Sequence, residues 1–313
     1  MDENVDPAEH SPVVHGGFAE EHDARSRGRG LLLVMGVALA VRLLVLFFVQ
    51  RPPPAPPEGV WRWGYEQASV AQSLLRGDGF SDAFMKGTGP TAWCGPVFPS
   101  LLAGLMRLFG AEGRALAVAL ALVHSLASAL IAPLLWRLGR NLGREDVGRL
   151  AAWGWAFHPY GEQAAVSLVW DSGLISLALC VWMVLLTGVR STDPARRLVP
   201  VGSALGALLL INPMPLTITP AALLYLKRGR QVRSWLVAAL AMGIPALLVV
   251  SPWLVRNQRV LGTWNFKANL GTELMVGNMG EQDAGFDARL HPSWNRLELH
   301  RYRELGEVGY GRD

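Results

Sequence analysis

Charged residues are scarce in this 313-residue chain. Asp, Glu, Lys and Arg make up 17% of it, whereas about a quarter is usual for a soluble domain. Long stretches carry no charge, and the charges cluster between them, which is typical of a multi-spanning helical membrane protein. The net charge of +4 does not indicate nucleic-acid binding, because the basic residues flank apolar runs and do not form one patch.

Cysteine is also rare, and a signal peptide is not evident. The two cysteines, Cys94 and Cys180, provide neither a disulfide framework nor zinc-ligand spacing. Residues 1–24 are acidic and polar, unlike the basic and then apolar start of a signal peptide. We predict that residues 1–29 form a disordered cytoplasmic tail.

Apolar runs separated by basic clusters predict an all-α polytopic membrane protein with about seven transmembrane helices. The basic residues between the runs place the N-terminus inside and the C-terminal segment outside. The predicted spans cover residues 30–49, 115–136, 150–170, 171–189, 198–211, 214–226 and 234–253.

The chain divides into a transmembrane domain over 30–253 and an extracytoplasmic C-terminal segment over 254–313, which we expect to be incomplete. Residues 50–96 form the first outer loop. Within this loop, the polar and apolar residues of 65–76 recur at helical spacing, so that a helix would have one polar and one apolar face. This pattern predicts an amphipathic helix on the membrane surface. The apolar run 97–109 is too short to span and is expected to be interfacial or re-entrant.

Acidic residues near the outer ends of the predicted helices are the first functional candidates. Glu66 begins the surface helix, where partial desolvation would suit a general base. The alternative is a solvated charge favoured by the helix dipole. Glu58 is a second candidate in the same loop. Asp171 begins a predicted span, and it is either a charge favoured at the helix terminus or a second carboxylate of the site. Glu162 is expected to form an ion pair with Arg42 or Arg256.

Two further polar residues lie within predicted spans. Arg42 would either snorkel outward or bind a lipid phosphate, for which a guanidinium is well suited. His158 precedes a proline in a broken helix and is either a packing residue or a substrate contact. No second histidine or cysteine lies at metal-ligand spacing, so the sequence predicts no metal site and leaves a divalent-metal requirement undecided.

Several segments together resemble a known family. WGYEQASVAQSLLRGDGF (63–80), GPTAW (89–93) and PVFPSLLAG (96–104) are similar to the first outer loop of GT-C membrane glycosyltransferases. INP (211–213), SPWLVRN (251–257) and GTELMVGN (271–278) fit the same order. The chain resembles glycosyltransferase family 39, which includes protein mannosyltransferases and the aminoarabinose transferase of lipid A, over about residues 30–280.

The resemblance implies a polyprenyl-phosphate sugar donor and an acceptor lipid, glycan or protein. It implies Glu66 as the general base, with Tyr65 beside it as a substrate contact, Asp171 as the second outer acidic residue, and Arg256 as a ligand of the lipid phosphate. Two departures stand against it. The family usually has Asp, often as an acidic pair, before the surface helix, and it usually has more spans.

Three functions remain open from the sequence. The first is an inverting lipid-linked sugar transferase, the second is a transporter or flippase of a lipid-linked substrate, and the third is a catalytically inactive, truncated relative. Broken helices favour transport, but the polar groups lie toward the outer side and no inverted repeat is evident. Few lysines beside many Ala, Arg and Gly residues are typical of a GC-rich bacterium, so we expect the bacterial inner membrane.

Overall fold

The computed structural model describes residues 15–50, 65–159, 170–269, 271–273, 291–293 and 295–311. Helices make up 76% of the structure, and these residues form no strand. Glu58 and Glu162 lie outside the described residues, as do residues 1–14 of the predicted tail.

Ten α-helices follow one another along the described residues. In order they are α1 His15–Leu44, α2 Tyr65–Arg76, α3 Val97–Phe109, α4 Arg114–Asn141, α5 Glu145–Ala156, α6 Ser172–Thr187, α7 Val199–Ile211, α8 Thr219–Lys227, α9 Val232–Leu261 and α10 Arg296–Tyr310. A π-helical turn continues α1 over Val45–Gln50, and 3₁₀ turns precede α7 over Ala195–Leu198 and α8 over Met214–Ile218.

In the part of the chain that the structure describes, three helices are long and apolar enough to cross a membrane: Arg25–Phe48 of α1 and its π-helical turn, the whole of α4, and the whole of α9. The sequence predicted seven. The predicted span 150–170 lies partly outside the described residues. Elsewhere the difference is one of length, because a helix rises 1.5 Å per residue and the hydrocarbon core is about 30 Å thick. The 16 residues of α6 and the 13 of α7 reach only about 24 Å and 20 Å at that rise.

Several predicted boundaries move in the structure. Helix α1 begins at His15, so helix covers residues 15–29 in place of the predicted disordered tail. Helix α9 continues to Leu261, past the predicted boundary at residue 253, so the segment SPWLVRN lies inside a helix. Helices α2 and α3 have the predicted bounds.

Close glycine contacts bring neighbouring helices together. Gly202 of α7 meets α9 so tightly that a Cβ atom would lie 2.0 Å from the Met242 carbonyl oxygen. Gly139 of α4 and Gly148 of α5 approach each other in the same way. Small residues let helix backbones approach closely where the surrounding lipid offers no hydrophobic driving force.

The polar face of α2 binds a loop. Asp82 is buried and accepts hydrogen bonds from Arg76 at 3.0 Å and from the backbone N–H groups of Gly87 and Gly89 at 3.0 and 3.1 Å. Ser69 donates to the backbone carbonyl of Asp82. These bonds hold Asp82 at a φ of 61°, a conformation that is rare outside glycine. The α2 face predicted to meet water therefore carries the segment 77–92.

Candidate functional site

Helix α2 sets the position of Glu66. Ala68 and Ala71 are fully buried and pack with Phe98 and Leu102 of α3, which fixes the helix on its apolar side. Glu66 lies in the first turn, with 22% of its side chain exposed. The carboxylate is therefore anchored by a packed helix and remains partly accessible.

Groups from distant parts of the chain surround Glu66. Ser293 donates its hydroxyl to Glu66 Oε1 at 2.9 Å, and His291 Nε2 lies 3.7 Å from the same oxygen. Burial lowers the pKa of His291, so the contact is not primarily an ion pair. Burial raises the pKa of the Glu66 carboxyl, and a backbone hydrogen bond, the Ser293 hydroxyl and the positive charge of Lys267 oppose that shift.

Asp171 occupies the N-cap position of α6 and meets the end of α7. Asn212 Nδ2 donates to Asp171 Oδ2 at 3.3 Å, while Asn212 Oδ1 accepts from the backbone N–H of Met214 at 3.0 Å. Lys267 also acts electrostatically on Asp171. The helix break at Asn212-Pro213 thus presents an amide to the second predicted carboxylate.

Cys94 lies among these charges. Burial raises the pKa of its thiol, and the negative charges of Glu66 and Asp171 raise it further, while Lys267 lowers it. The next residue, Gly95, lies against the end of α7, where a Cβ would be 2.4 Å from the Ile211 carbonyl oxygen. Glu66 and Asp171 therefore both act electrostatically on Cys94, and Lys267 acts on all three groups. We call Glu66, Cys94, Asp171, Asn212 and Lys267 the carboxylate cluster.

A second buried carboxylate anchors the C-terminal helix. Glu307 accepts hydrogen bonds from the Ala92 backbone N–H at 2.6 Å, from the Tyr302 hydroxyl at 2.7 Å and from the Thr91 hydroxyl. Burial raises the pKa of Glu307, and these three bonds oppose the shift. The glycine before it, Gly306, has a φ of 67°, which bends α10 at this point. The Glu307 contacts tie α10 to the loop that leads to Cys94.

Arg256 has partners within the protein. Its guanidinium donates to the backbone carbonyls of Phe80 at 2.6 Å and Thr91 at 2.7 Å, and it lies 5.2 Å from the Trp253 ring centroid. These bonds attach the C-terminal end of α9 to the segment 77–92. The phosphate-binding role predicted for Arg256 would compete with them.

Arg42 is likewise bound inside the protein. Its side chain is fully buried and donates to Ser128 Oγ at 2.8 Å and to the backbone carbonyls of Trp155 and Ala156 at 3.1 and 3.2 Å. A cation at the carbonyl end of α5 is favoured by the helix dipole. Arg42 therefore joins α1 to α4 and α5. The sequence had predicted that its side chain either snorkels outward or binds a lipid phosphate.

The remaining predicted site residues of the described chain, His158 and Tyr65, are not part of the carboxylate cluster defined above. The His158 ring stacks on Trp155 with centroids 6.0 Å apart, beside the Arg42 contacts. Tyr65 begins α2, and the placement of its side chain is outside the described residues. Among the described residues, no group of three or more His, Cys, Asp or Glu side chains is arranged to hold a metal ion.

Four residues of the site were not singled out from the sequence: Lys267, Ser293, His291 and Glu307. Each is an ordinary polar residue in the C-terminal segment, and only the folded contacts connect it to the outer loop. The one available signal was the polar character of residues 254–313 next to a predicted outer loop. No family model, curated protein or solved structure matches the chain.

Proposed function

We propose that this chain is a membrane glycosyltransferase that transfers a sugar from a polyprenyl-phosphate donor to a lipid, glycan or protein acceptor, with inversion at the sugar. The observation that carries the proposal is the carboxylate cluster, in which a partly exposed Glu66 with a raised pKa and Asp171 both interact electrostatically with Lys267. The order of the outer-loop and helix segments, which resembles family 39, supports the same class.

The chemistry requires a base and a cation. The Glu66 carboxylate takes the proton of the acceptor hydroxyl or amine, the acceptor atom bonds to sugar C1 from the face opposite the phosphate, and the C1–O bond breaks. The polyprenyl phosphate leaves with the bonding electrons and needs no proton. Of the residues that the structure describes, Lys267 is the cation that acts on both carboxylates and would stabilise the leaving phosphate, since Arg42 and Arg256 already donate to protein oxygens.

A raised pKa suits this role for Glu66. A carboxylate with its ordinary pKa is a weak base at neutral pH, and desolvation makes it stronger. Asp171 has the amide of Asn212 as a partner and would orient the acceptor or balance the charge of Lys267. Asp171 is therefore the second residue to test.

The proposed setting is the bacterial inner membrane, with the cluster on the outer side. We propose seven membrane segments, in which α5 to α8 enter the bilayer beside the three longer helices. The N-terminus is inside, α2 lies at the outer surface under the segment 77–92, and residues 254–313 are extracytoplasmic. The excess of basic residues at the opposite ends of the helices supports this orientation.

The test is sugar release or transfer from a labelled polyprenyl-phosphate sugar by the purified protein in lipid vesicles. We expect Glu66→Gln to reduce the rate about a hundredfold or more, the usual contribution of a general base. Glu112→Gln, which replaces an exposed glutamate near the start of α4, should retain the parent rate. Folding of each variant is checked by its melting temperature.

Other outcomes separate the alternatives. Equal turnover in the parent and in Glu66→Gln would show that Glu66 is not the base, and Asp171→Asn would then be tested. No turnover by the parent with several donors would contradict the transferase proposal. Uptake of the lipid-linked sugar by vesicles would in that case distinguish a transporter from an inactive relative.

A further inference from the structure

A cleft lies at the start of α9, at the end of the helix opposite to Arg256. Residues 234 and 256 are separated by about 33 Å along the helix at 1.5 Å per residue, so the cleft is remote from the carboxylate cluster. Its volume is about 380 Å³. The polar residues that line it are Ser191, Asp193, Arg230, Gln231, Arg233 and Ser234, and Leu198, Val237 and Ala238 form an apolar side.

The two chain segments at the cleft are strongly basic. Residues 190–197 and 227–233 contain seven basic side chains and one acidic side chain. The acidic one, Asp193, is already engaged: it lies 3.4 Å from Arg197 Nη1 and accepts from the backbone N–H of Arg190 at 2.9 Å. The cleft therefore has an excess of positive charge that the neighbouring protein groups do not balance.

Two arginines on the cleft wall differ in how they are held. Arg230 is fixed, because it donates to the backbone carbonyls of Leu226 and Arg190 at 2.7 Å each. These bonds use two of its five N–H donors. Arg233 is exposed and has no hydrogen bond or ion pair with any described residue. Together they present planar donors, which match the oxygens of a phosphate group.

An apolar surface continues from the cleft along α9. Leu236 and Val237 are 49% and 50% exposed, and Leu240 on the next turn is 60% exposed. Helix α9 is one of the three helices able to cross a membrane. A ligand that places an anion between Arg230 and Arg233 would therefore have hydrocarbon-compatible surface beside it. A free phosphate ion would leave that surface unused.

We propose that this cleft binds the phosphate head group of an anionic phospholipid, with the acyl chains along the apolar surface of α9. Basic pockets between membrane helices are suited to such head groups. The seven basic side chains add long-range attraction for the net negative charge of the lipid. The serine hydroxyls at 191 and 234 provide neutral contacts for its polar group.

The experiment measures the melting temperature of the full chain in a nonionic detergent as dioctanoyl phosphatidylglycerol is added. A ligand that binds the folded state and not the unfolded state raises this temperature as its concentration increases relative to its Kd. We expect Arg230→Gln/Arg233→Gln to weaken the apparent affinity about tenfold or more, as for the loss of charge-assisted hydrogen bonds. The matched control, Arg137→Gln/Arg140→Gln, removes two exposed arginines from the end of α4 and should keep the parent affinity.

Two further probes identify the ligand chemistry. Dioctanoyl phosphatidylcholine, which has no net charge, should bind more weakly than phosphatidylglycerol, and inorganic phosphate should give no comparable stabilisation. Equal effects of both lipids, or an equal effect of inorganic phosphate, would overturn the proposal, as would unchanged affinity in the double variant. If the double variant does not fold, Arg233→Gln alone decides, because Arg233 contributes no bond to the fold: weaker binding supports the site and unchanged binding refutes it.

Discussion

At the scale of single residues, Lys267 is the cation that acts on both Glu66 and Asp171 of the carboxylate cluster. Its positive charge lowers the pKa of Glu66, against the larger effect of burial. A base that must be ionised to act loses activity as the pH falls through its pKa. The acid side of the pH–rate profile therefore reports the balance between burial, which raises the pKa of Glu66, and the backbone hydrogen bond, Ser293 and Lys267, which lower it.

We predict that Lys267→Gln moves the acid limb of the kcat/KM profile to higher pH. Removing the cation leaves the desolvation of Glu66 opposed by fewer groups, so the pKa of Glu66 rises and a higher pH is needed to ionise it. The measurement is kcat/KM for sugar transfer between pH 4 and 9. Lys86→Gln, an exposed lysine in the outer loop, serves as control and should leave the profile in place; a limb that stays unmoved in Lys267→Gln would contradict the electrostatic coupling.

The arginines show why residue roles were only partly predictable. The sequence identified Arg42 and Arg256 as notable, because a cation within or beside an apolar helix needs a partner. It could not identify that partner, since Ser128, Trp155 and Thr91 are far away along the chain. The acidic candidates were recognised more easily, because Glu66 and Asp171 each begin a helix.

At the scale of helices, the contact between α7 and α9 depends on glycine. Gly202 and Gly206 both face α9, where a Cβ at Gly206 would lie 2.7 Å from the Ala246 carbonyl oxygen. Asn212 follows the last residue of α7 as its C-cap, and its side chain meets Asp171. A displacement of α7 along α9 would therefore move a residue of the carboxylate cluster.

We predict that Gly202→Ala destabilises the protein by about 1–3 kcal/mol, the usual cost of overpacking, because the added Cβ would lie 2.0 Å from the Met242 carbonyl oxygen. Gly243→Ala is the matched control. A Cβ at Gly243 meets nothing within 4 Å, so alanine should be neutral or stabilise the helix by up to about 1 kcal/mol. Thermal or denaturant unfolding in detergent measures both variants, and equal stability of the two would refute the close packing.

The helices themselves were largely predictable, and their contacts were not. The bounds of α2 and α3 follow from apolar periodicity and from the turn residues around them. The end of α9 was predicted too early, because the polar residues after Trp253 indicated a loop. In the structure, Arg256 and Asn257 are polar helix residues that bind the outer segments.

At the scale of the whole molecule, the basic cleft and the segments that carry the carboxylate cluster lie at different ends of α9. The outer segments meet α9 at Arg256, and the basic cleft lies at its first turns. The proposed lipid-head-group site and the proposed transferase site would therefore face opposite leaflets. The predicted number of spans exceeds the number of long apolar helices among the described residues. Helices α6 and α7 are apolar, but they are shorter than a full membrane crossing.

We predict that α4 crosses the membrane with its first residue outside. Its 28 residues extend about 42 Å at 1.5 Å per residue, which exceeds the hydrocarbon core. Single cysteines introduced as Glu112→Cys and Lys86→Cys should react with a membrane-impermeant maleimide in spheroplasts. Arg140→Cys and Ser191→Cys should react only after permeabilisation. Arg140 lies at the C-terminal end of α4, and Ser191 lies in the connection between α6 and α7, which we expect on the same side of the membrane.

The parent chain provides the background for this labelling. Cys94 is buried, with a raised thiol pKa, so it should react slowly with maleimide. Cys180 lies within the apolar helix α6 and is only partly exposed, so impermeant reagent should reach it poorly. If Glu112→Cys and Arg140→Cys were labelled equally before permeabilisation, α4 would not separate the two sides. The proposed seven-segment topology would then be wrong at α4.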